Sequence, residues 1–269
     1  MGHDKLRKFA ENETFSCLLQ PDASEMLAGG YFSLKDHDIK GKWNEKMFSA
    51  PRDIVLELGC GKGEYTIDLS KRIPGRNYIG VDIKGARLWK GARQAEEEKL
   101  GNVAFLRTRI EFITALFAPE EVSEIWLTFS DPQMKSENSR LTSPLFLERY
   151  RNILRKGGIV HLKTDSMFLH QYSKTVAEAN GLKILACTED LYSSSRDQFS
   201  ALPDQEADAL FEVQTFYEKM FLEQGYKITY LSFVIDKDGE YVHPDFDEDY
   251  WRKEEGPKRS FSHQPHKKQ

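Results

Sequence analysis

The sequence predicts an α/β fold with a doubly wound, mostly parallel sheet of about seven strands and helices on both faces. From residue 53 onward, short apolar runs alternate with amphipathic segments, a pattern typical of parallel strands buried on both sides. The first apolar run leads directly into closely spaced glycines, and the second ends in an aspartate. In Rossmann-like folds these features lie together at the carboxyl edge of the sheet.

The elements follow from the period of the hydrophobic residues. Strands are predicted at Ile54–Leu58, Tyr78–Val81, Val103–Leu106, Ile125–Phe129, Gly158–Thr164, Lys183–Cys187 and Tyr226–Val234. Helices are predicted at Glu64–Arg72, Ala86–Leu100, Pro144–Arg155, Met167–Asn180 and Phe211–Gln224, with short ones near 22–28 and 42–48. The intervening stretch Ser193–Asp208 is polar and is predicted to be a loop. We therefore expect an N-terminal extension over residues 1–50 and a core domain over 51–235. An acidic segment and a disordered tail are expected over 236–269.

Composition limits the class of protein but does not identify its partner. The net charge is −5, yet residues 236–255 hold nine acids and three bases, so the remainder is close to neutral and carries basic clusters. No apolar run is long enough to cross a bilayer. The three cysteines are widely spaced, and their spacing fits neither a disulfide framework nor a zinc site. We expect a cytoplasmic protein without a metal.

A glycine-rich stretch, VLELGCGKGEY from Val55 to Tyr65, joins the first strand to the first long helix. Gly59, Gly61 and Gly63 would let the backbone approach a ligand at the helix N-terminus. The spacing G-x-G-x-G differs from the G-x-G-x-x-G of dinucleotide enzymes, which makes a dehydrogenase the least favoured interpretation.

Two acids flank this glycine-rich stretch. Glu57 precedes it and suits a cationic ligand better than a pyrophosphate. Asp82 ends the next strand, where an acid can accept both hydroxyl hydrogens of a ribose. A plain glycine turn with a helix-capping aspartate is the structural alternative. The combination resembles the class I S-adenosylmethionine-dependent methyltransferases, which implies that S-adenosylmethionine is the methyl donor.

The fourth strand ends in Ser130, Asp131 and Pro132, at the same predicted edge as the glycines. Pro132 biases Asp131 towards an extended backbone, so its carboxylate would be held in one direction. A simple Asp-Pro turn explains that geometry but not its position beside a donor site. We therefore interpret Asp131 as a functional residue.

Five separated segments resemble, in order, the motifs of bacterial tRNA (guanine-N7)-methyltransferases. They are FSDP from Phe129 with Lys135 beyond it, RLTSP from Arg140, the pair Gly157–Gly158, HLKTD ending at Asp165, and TFYE from Thr215 to Glu218. The resemblance covers about residues 50–235. It implies methyl transfer to N7 of a guanine in the variable loop of tRNA, with Asp131 at the catalytic centre.

The same resemblance distributes the remaining roles. It implies substrate contacts from Lys135, Asp165, Thr215, Phe216, Tyr217 and Glu218. It implies donor contacts from Glu57, Gly59, Gly61, Gly63, Asp82, Arg109 and Asp131. Arg109 stands where the family usually has an acid or amide beside the adenine. The stretch from Gln133 to Arg140 is also shorter and less basic than the family's usual run.

Several of these residues have simpler explanations. Lys135 could be an ordinary solvated lysine, and Thr215 with Glu218 could form a helix capping box. His161, within an apolar strand, is interpreted as a core histidine. Guanine N7 already exposes a lone pair, so the chemistry needs alignment rather than a general base. Asp131 and Asp165 are both candidates for stabilising the charge on guanine, and the sequence does not separate their roles. A small-molecule methyltransferase and an RNA-binding module without turnover stay open as alternatives.

Overall fold

The computed structural model describes residues 2–30 and 33–256. The strands within these ranges form one eight-stranded sheet. Its strands β1 to β8 are Leu18–Leu19, Ile54–Leu58, Asn77–Asp82, Val103–Arg107, Val122–Thr128, Leu154–Thr164, Ile184–Thr188 and Thr229–Ile235. The helices α1 to α11 are Gly2–Asn12, Ala23–Met26, Trp43–Lys46, Glu64–Arg72, Gly85–Glu97, Ile113–Leu116, Pro144–Arg151, Met167–Ala179, Asp204–Glu212, Phe216–Glu223 and Glu248–Glu255.

The strand order is β1-β4-β3-β2-β5-β6-β8-β7. Every pairing from β1 to β6 is parallel, and β8 lies antiparallel between β6 and β7. The chain first moves outward from β2 to β3 and β4, then returns to the other side of β2 with β5. Ligands bind at such a reversal in doubly wound sheets. The predicted fold is confirmed, and the additional strand is the two-residue β1.

Strand β2 shows why the sheet is covered on both faces. All five of its residues are buried. Leu56 and Leu58 pack into a cluster that includes side chains of α7 and α8, whereas Val55 packs into a second cluster with α4 and α9. Alternate side chains of a strand point to opposite faces, so an apolar residue is favoured at nearly every position. The exception on β2 is Glu57.

The predicted helix over Phe211–Gln224 is in fact two helices, α9 and α10. Val213 leaves the helical region, and the Thr215 hydroxyl then caps α10 by accepting a hydrogen bond from the Glu218 N–H at 3.2 Å. The predicted loop over Ser193–Asp208 contains a 3₁₀ turn and the first half of α9. Phe199 is buried in a cluster with Val55 and Tyr230, which are distant in the chain, and this packing orders the segment.

Segments on both sides of the predicted core domain also pack against it. Helix α1 contacts α5, where the Asn12 amide donates to the Gly85 carbonyl at 2.9 Å, and α11 packs against α8. The boundaries after residues 50 and 235 stay predictions, and residues 257–269 of the expected tail lie outside the described residues. Within the described ranges, every helix is too short or too polar to span a membrane.

The approach of α5 to the glycine loop can be tested with Gly91→Ala. A Cβ at Gly91 would lie 2.5 Å from the Phe105 ring and 2.8 Å from the Lys62 carbonyl. We expect this overpacking to lower the free energy of unfolding by about 1–3 kcal/mol, although alanine is the better helix former by about 1 kcal/mol. Urea denaturation measures the change.

Gly75→Ala is the matched control, because a Cβ there meets nothing within 4 Å among the described residues. We expect its stability to stay within about 0.5 kcal/mol of the parent protein. Equal stabilities of the two alanine variants would contradict the close packing of α5 on the glycine loop.

Candidate active site

The glycine loop between β2 and α4 is open at its start and packed at its end. Gly59, Gly61 and Gly63 have φ angles of 82°, 57° and 72°, a region that glycine adopts at little cost. A Cβ at Gly59 or Gly61 would meet nothing within 4 Å in the described part of the chain, whereas one at Gly63 would lie 2.5 Å from the Phe105 ring. A ligand can therefore approach the backbone at the first two glycines.

Asp82 lies beside this loop at the end of β3. One carboxylate oxygen accepts a hydrogen bond from the Gly61 N–H at 3.0 Å, and the other accepts one from the Lys84 N–H at 2.7 Å. These bonds hold the carboxylate at the edge of the sheet. Each carboxylate oxygen can accept more than one hydrogen bond, so capacity is left for the hydroxyl groups of a ligand.

Glu57 is buried at the end of β2, and its two oxygens are engaged by the protein itself. One accepts from the Thr66 N–H at 2.8 Å and from the Thr66 hydroxyl, and the other accepts from the Thr128 hydroxyl. Burial raises the pKa of Glu57 to about 7, although these hydrogen bonds oppose the rise. The predicted attraction for a cationic ligand and the predicted donor contact of Glu57 both stay predictions.

Asp131 is exposed on the loop that follows β5. Its carboxylate accepts a hydrogen bond from the Gln133 N–H at 2.9 Å. Phe129 and Gln133, on either side of it, have φ angles of 52° and 47°. Non-glycine residues rarely adopt this region, and such strain is concentrated at functional sites. The hydrogen bond from Gln133 restrains the Asp131 carboxylate within its own loop, and the predicted extended backbone at Asp131 stays a prediction.

Three further predicted residues follow the ends of the parallel strands β4, β5 and β6. Arg109 is exposed two residues after β4, and the preceding Thr108 N–H donates to the Asp82 carbonyl at 3.3 Å. Lys135 is exposed on the loop after Asp131, and Asp165 follows β6 in a half-buried position. All three therefore lie at the edge that carries the glycine loop.

The start of α10 meets the glycine loop from the side. The Phe216 N–H donates to a Glu64 carboxylate oxygen at 2.8 Å, and the Lys62 ammonium lies 4.8 Å from the centre of the Phe216 ring. Phe216 is 56% exposed and Tyr217 is 37% exposed. Two aromatic side chains are therefore available to a ligand near the loop. Thr215 is buried and acts as the helix cap described above.

Glu218 has a different environment, because its side chain is fully buried. Its carboxylate lies 2.8 Å from the Lys163 ammonium and accepts a hydrogen bond from the Tyr192 hydroxyl at 2.6 Å. Lys163 also donates to the carbonyls of Leu210 and Val213 at the end of α9. The ion pair therefore fastens both α9 and α10 to β6. The predicted substrate contact of Glu218 stays a prediction.

The structure also assembles a polar cluster that the sequence did not reveal. Glu124, His161 and Glu206 have ligand atoms within 4.8 Å of one another, although they are distant in the chain. Arg76 lies 2.5 Å from Glu124 and 2.6 Å from Glu206, so one guanidinium already serves both carboxylates. His161 is buried, as predicted, and bonds the Tyr230 hydroxyl at 2.7 Å. We interpret the cluster as a structural ion network.

The chain is similar to known proteins in sequence and in fold. The family model described as "Putative methyltransferase" matches residues 51–228. The tRNA (guanine-N(7)-)-methyltransferase of Christiangramia forsetii is 47% identical, over 86% of this chain and 98% of its own length. That of Bacteroides fragilis is 45% identical, over 92% of each. The solved structure of the 16S rRNA methyltransferase KamB aligns with a TM-score of 0.52 and 15% identity, covering 76% of this chain and 95% of that one.

The likeness to KamB concerns the fold alone, because the identity is low. Together with the family model, it defines a methyltransferase with a Rossmann-like sheet. The identities to the two relatives extend over most of each chain and are more specific. This chain belongs to the tRNA (guanine-N(7)-)-methyltransferase family.

The buried carboxyl of Glu57 makes the stability of the fold depend on pH. Its pKa rises from 4.5 to about 7 on folding, so between these values the folded state holds more protons than the unfolded state. Stability from this group is therefore present below pH 4.5 and is lost as the pH rises to about 7. Relative to wild type, the free energy of unfolding of Glu57→Gln should rise by up to about 3 kcal/mol between pH 4.5 and about 7.

Urea denaturation at several pH values measures this difference. Glutamine keeps hydrogen-bonding groups for Thr66 and Thr128, so the variant should still fold. The exposed Glu223→Gln is the control, and its curve should run parallel to that of the wild type. A parallel curve for Glu57→Gln as well would contradict the pKa rise caused by burial.

The Lys163–Glu218 pair can be tested by a double-mutant cycle. Lys163→Met should lower the free energy of unfolding by about 3–5 kcal/mol, because it leaves the Glu218 carboxylate buried without its partner. The double variant K163M/E218Q should be less destabilised than the sum of the two single variants, since both charges are gone. Additive losses in urea denaturation would show that the two side chains are not coupled.

Proposed function

We propose that this chain transfers a methyl group from S-adenosylmethionine to N7 of a guanine in tRNA. The observation that carries the proposal is the position of exposed Asp131 at the same sheet edge as the open glycine loop, in a member of this family. The family resemblance favours a guanine in the variable loop.

The donor would be held by groups from two strand ends. The open backbone at Gly59 and Gly61 leaves room for it, and the Asp82 carboxylate would accept hydrogen bonds from its ribose hydroxyls. Arg109 would lie towards the adenine. When bound, S-adenosylmethionine supplies an electrophilic methyl group on a positively charged sulfur. Glu57, buried beneath the glycine loop, would favour the positively charged donor in its ionised form.

The acceptor would be oriented by the opposite side of the site. Guanine N7 carries a lone pair and no proton, so no residue is required to remove one. Asp131 would stabilise the positive charge that develops on the guanine and could accept hydrogen bonds from its N1–H and N2–H₂ groups. Asp165 is the second candidate for these roles. Because the nucleophile needs no activation, the proposed reaction requires no metal.

RNA docking would draw on side chains around this centre. Phe216 and Tyr217 expose ring surfaces beside the glycine loop, and aromatic faces commonly stack on unpaired bases of RNA. Lys135 is exposed on the loop that carries Asp131 and would contact a phosphate or a base edge. These contacts would place N7 in line with the donor, which is the main source of acceleration in a reaction of this kind.

The direct test is nucleoside analysis after incubation of the protein with methyl-labelled donor and unmodified tRNA. The proposal requires label in 7-methylguanosine. Label found only in small molecules would favour a small-molecule methyltransferase. Retention of tRNA without any label would favour an RNA-binding module without turnover, and either result would overturn the proposal.

The division of roles between two carboxylates can be tested with Asp131→Asn and Asp82→Asn. Asp131→Asn should lower kcat by about 10²–10³-fold because the charge facing the guanine is lost, while donor affinity measured by calorimetry changes little. Asp82→Asn should instead weaken donor binding by roughly tenfold, with a smaller effect on kcat at saturating donor. Indistinguishable profiles for the two variants would contradict this division.

A further inference from the structure

The acidic segment over residues 236–256, here named the C-terminal strap, follows residues 51–228, which the family model matches, and is anchored on α8. The Glu255 carboxylate accepts hydrogen bonds from the Ser166 hydroxyl at 2.6 Å and from the Phe168 N–H at 2.9 Å, at the start of α8. Phe246 packs edge-on against Phe168 and Tyr172. The strap is therefore a fixed part of the fold.

The C-terminal strap also contacts the active-site loop, which we define as residues 130–140. Arg252 donates two hydrogen bonds to the carbonyl of Met134, from Nε at 3.0 Å and from Nη2 at 2.6 Å. Met134 lies between Asp131 and Lys135, the two residues of this loop with proposed functions. Bonds from a charged donor are stronger than those between neutral groups, so Arg252 restrains the middle of the loop.

A second contact fixes the end of the same loop. Arg140 is fully buried, with its guanidinium 4.8 Å from the centre of the Phe168 ring and 4.4 Å from that of Tyr172. It lies 2.8 Å from the carboxylate of Glu248 in the strap, and Glu248 also pairs with Arg252. The Glu248 carboxylate therefore pairs with both Arg140 of the loop and Arg252 of the strap.

Hydrogen bonds within the loop connect Met134 to Asp131. The Gln133 N–H donates to the Asp131 carboxylate at 2.9 Å, and the Ser136 N–H donates to the Gln133 carbonyl at 3.0 Å. Met134 and Lys135 lie between these two bonds. A displacement of the Met134 carbonyl would therefore be transmitted to the Asp131 carboxylate and to Lys135.

We propose that Arg252 is a positioning residue for methyl transfer, acting through the Met134 carbonyl on the loop that carries Asp131 and Lys135. This inference rests on the proposed function. In this proposal the acidic strap supports the active-site loop. Glu255 anchors the strap to α8, and Glu248 orients Arg140 and Arg252. A shift of about 1 Å at a reacting group lowers turnover strongly even when binding of the donor is unaffected.

The test compares Arg252→Ala, Arg252→Lys and the control Lys253→Ala, which changes an exposed neighbour on the same helix. For Arg252→Ala we expect roughly tenfold lower kcat/KM for tRNA and roughly tenfold faster amide hydrogen exchange in the active-site loop. Donor affinity should stay within about twofold, because the strap contacts described above go to α8 and the active-site loop and not to the glycine loop or Asp82. Arg252→Lys should recover part of both losses, and Lys253→Ala should match wild type.

Unchanged loop exchange or unchanged kcat/KM in Arg252→Ala would overturn the positioning role. An equal loss of donor affinity and turnover would also overturn it, since that pattern indicates a general structural defect. These failures differ from failure of the proposed function itself. If the wild-type protein placed no label in 7-methylguanosine, the proposed function would fail and the positioning role would fall with it.

Discussion

The buried carboxylate of Glu57 connects the two halves of the candidate active site. It accepts hydrogen bonds from Thr66 at the start of α4 and from Thr128 at the end of β5. The glycine loop lies between Glu57 and Thr66, and Asp131 follows Thr128 by three residues. The glycine loop and the loop that carries Asp131 are therefore positioned relative to one group. The raised pKa reflects the desolvation cost of placing that group inside the sheet.

Buried charges play a second structural part beneath the site. Lys163, on β6, binds the last carbonyls of α9 and the carboxylate of Glu218 on α10. A cation is favourable at the C-terminal end of a helix because the carbonyls there lack partners within the helix. This interaction ends α9 and brings the start of α10, with its exposed aromatic rings, against the glycine loop.

The fold, the glycine loop and the position of Asp82 depend on local patterns, which explains why the sequence predicted them. The alternation of strands and helices, the glycines at positive φ and the acid at the end of β3 are all determined within a few residues. The break between α9 and α10 was not predicted, because Lys163 and the Leu210 carbonyl are far apart in the chain. The hydrogen bonds of Glu57 with Thr128, and of Arg252 with Met134, were missed for the same reason.

In the proposed site the donor lies across the ends of β2 and β3 while Asp131 faces the acceptor base. A crystal structure of the protein with S-adenosylhomocysteine and a tRNA substrate tests this most directly. In that complex the ribose hydroxyls of the bound nucleoside should contact Asp82, with the target guanine between the sulfur and the Asp131 carboxylate. A nucleoside bound elsewhere, or Asp131 turned to solvent with the guanine in place, would contradict it.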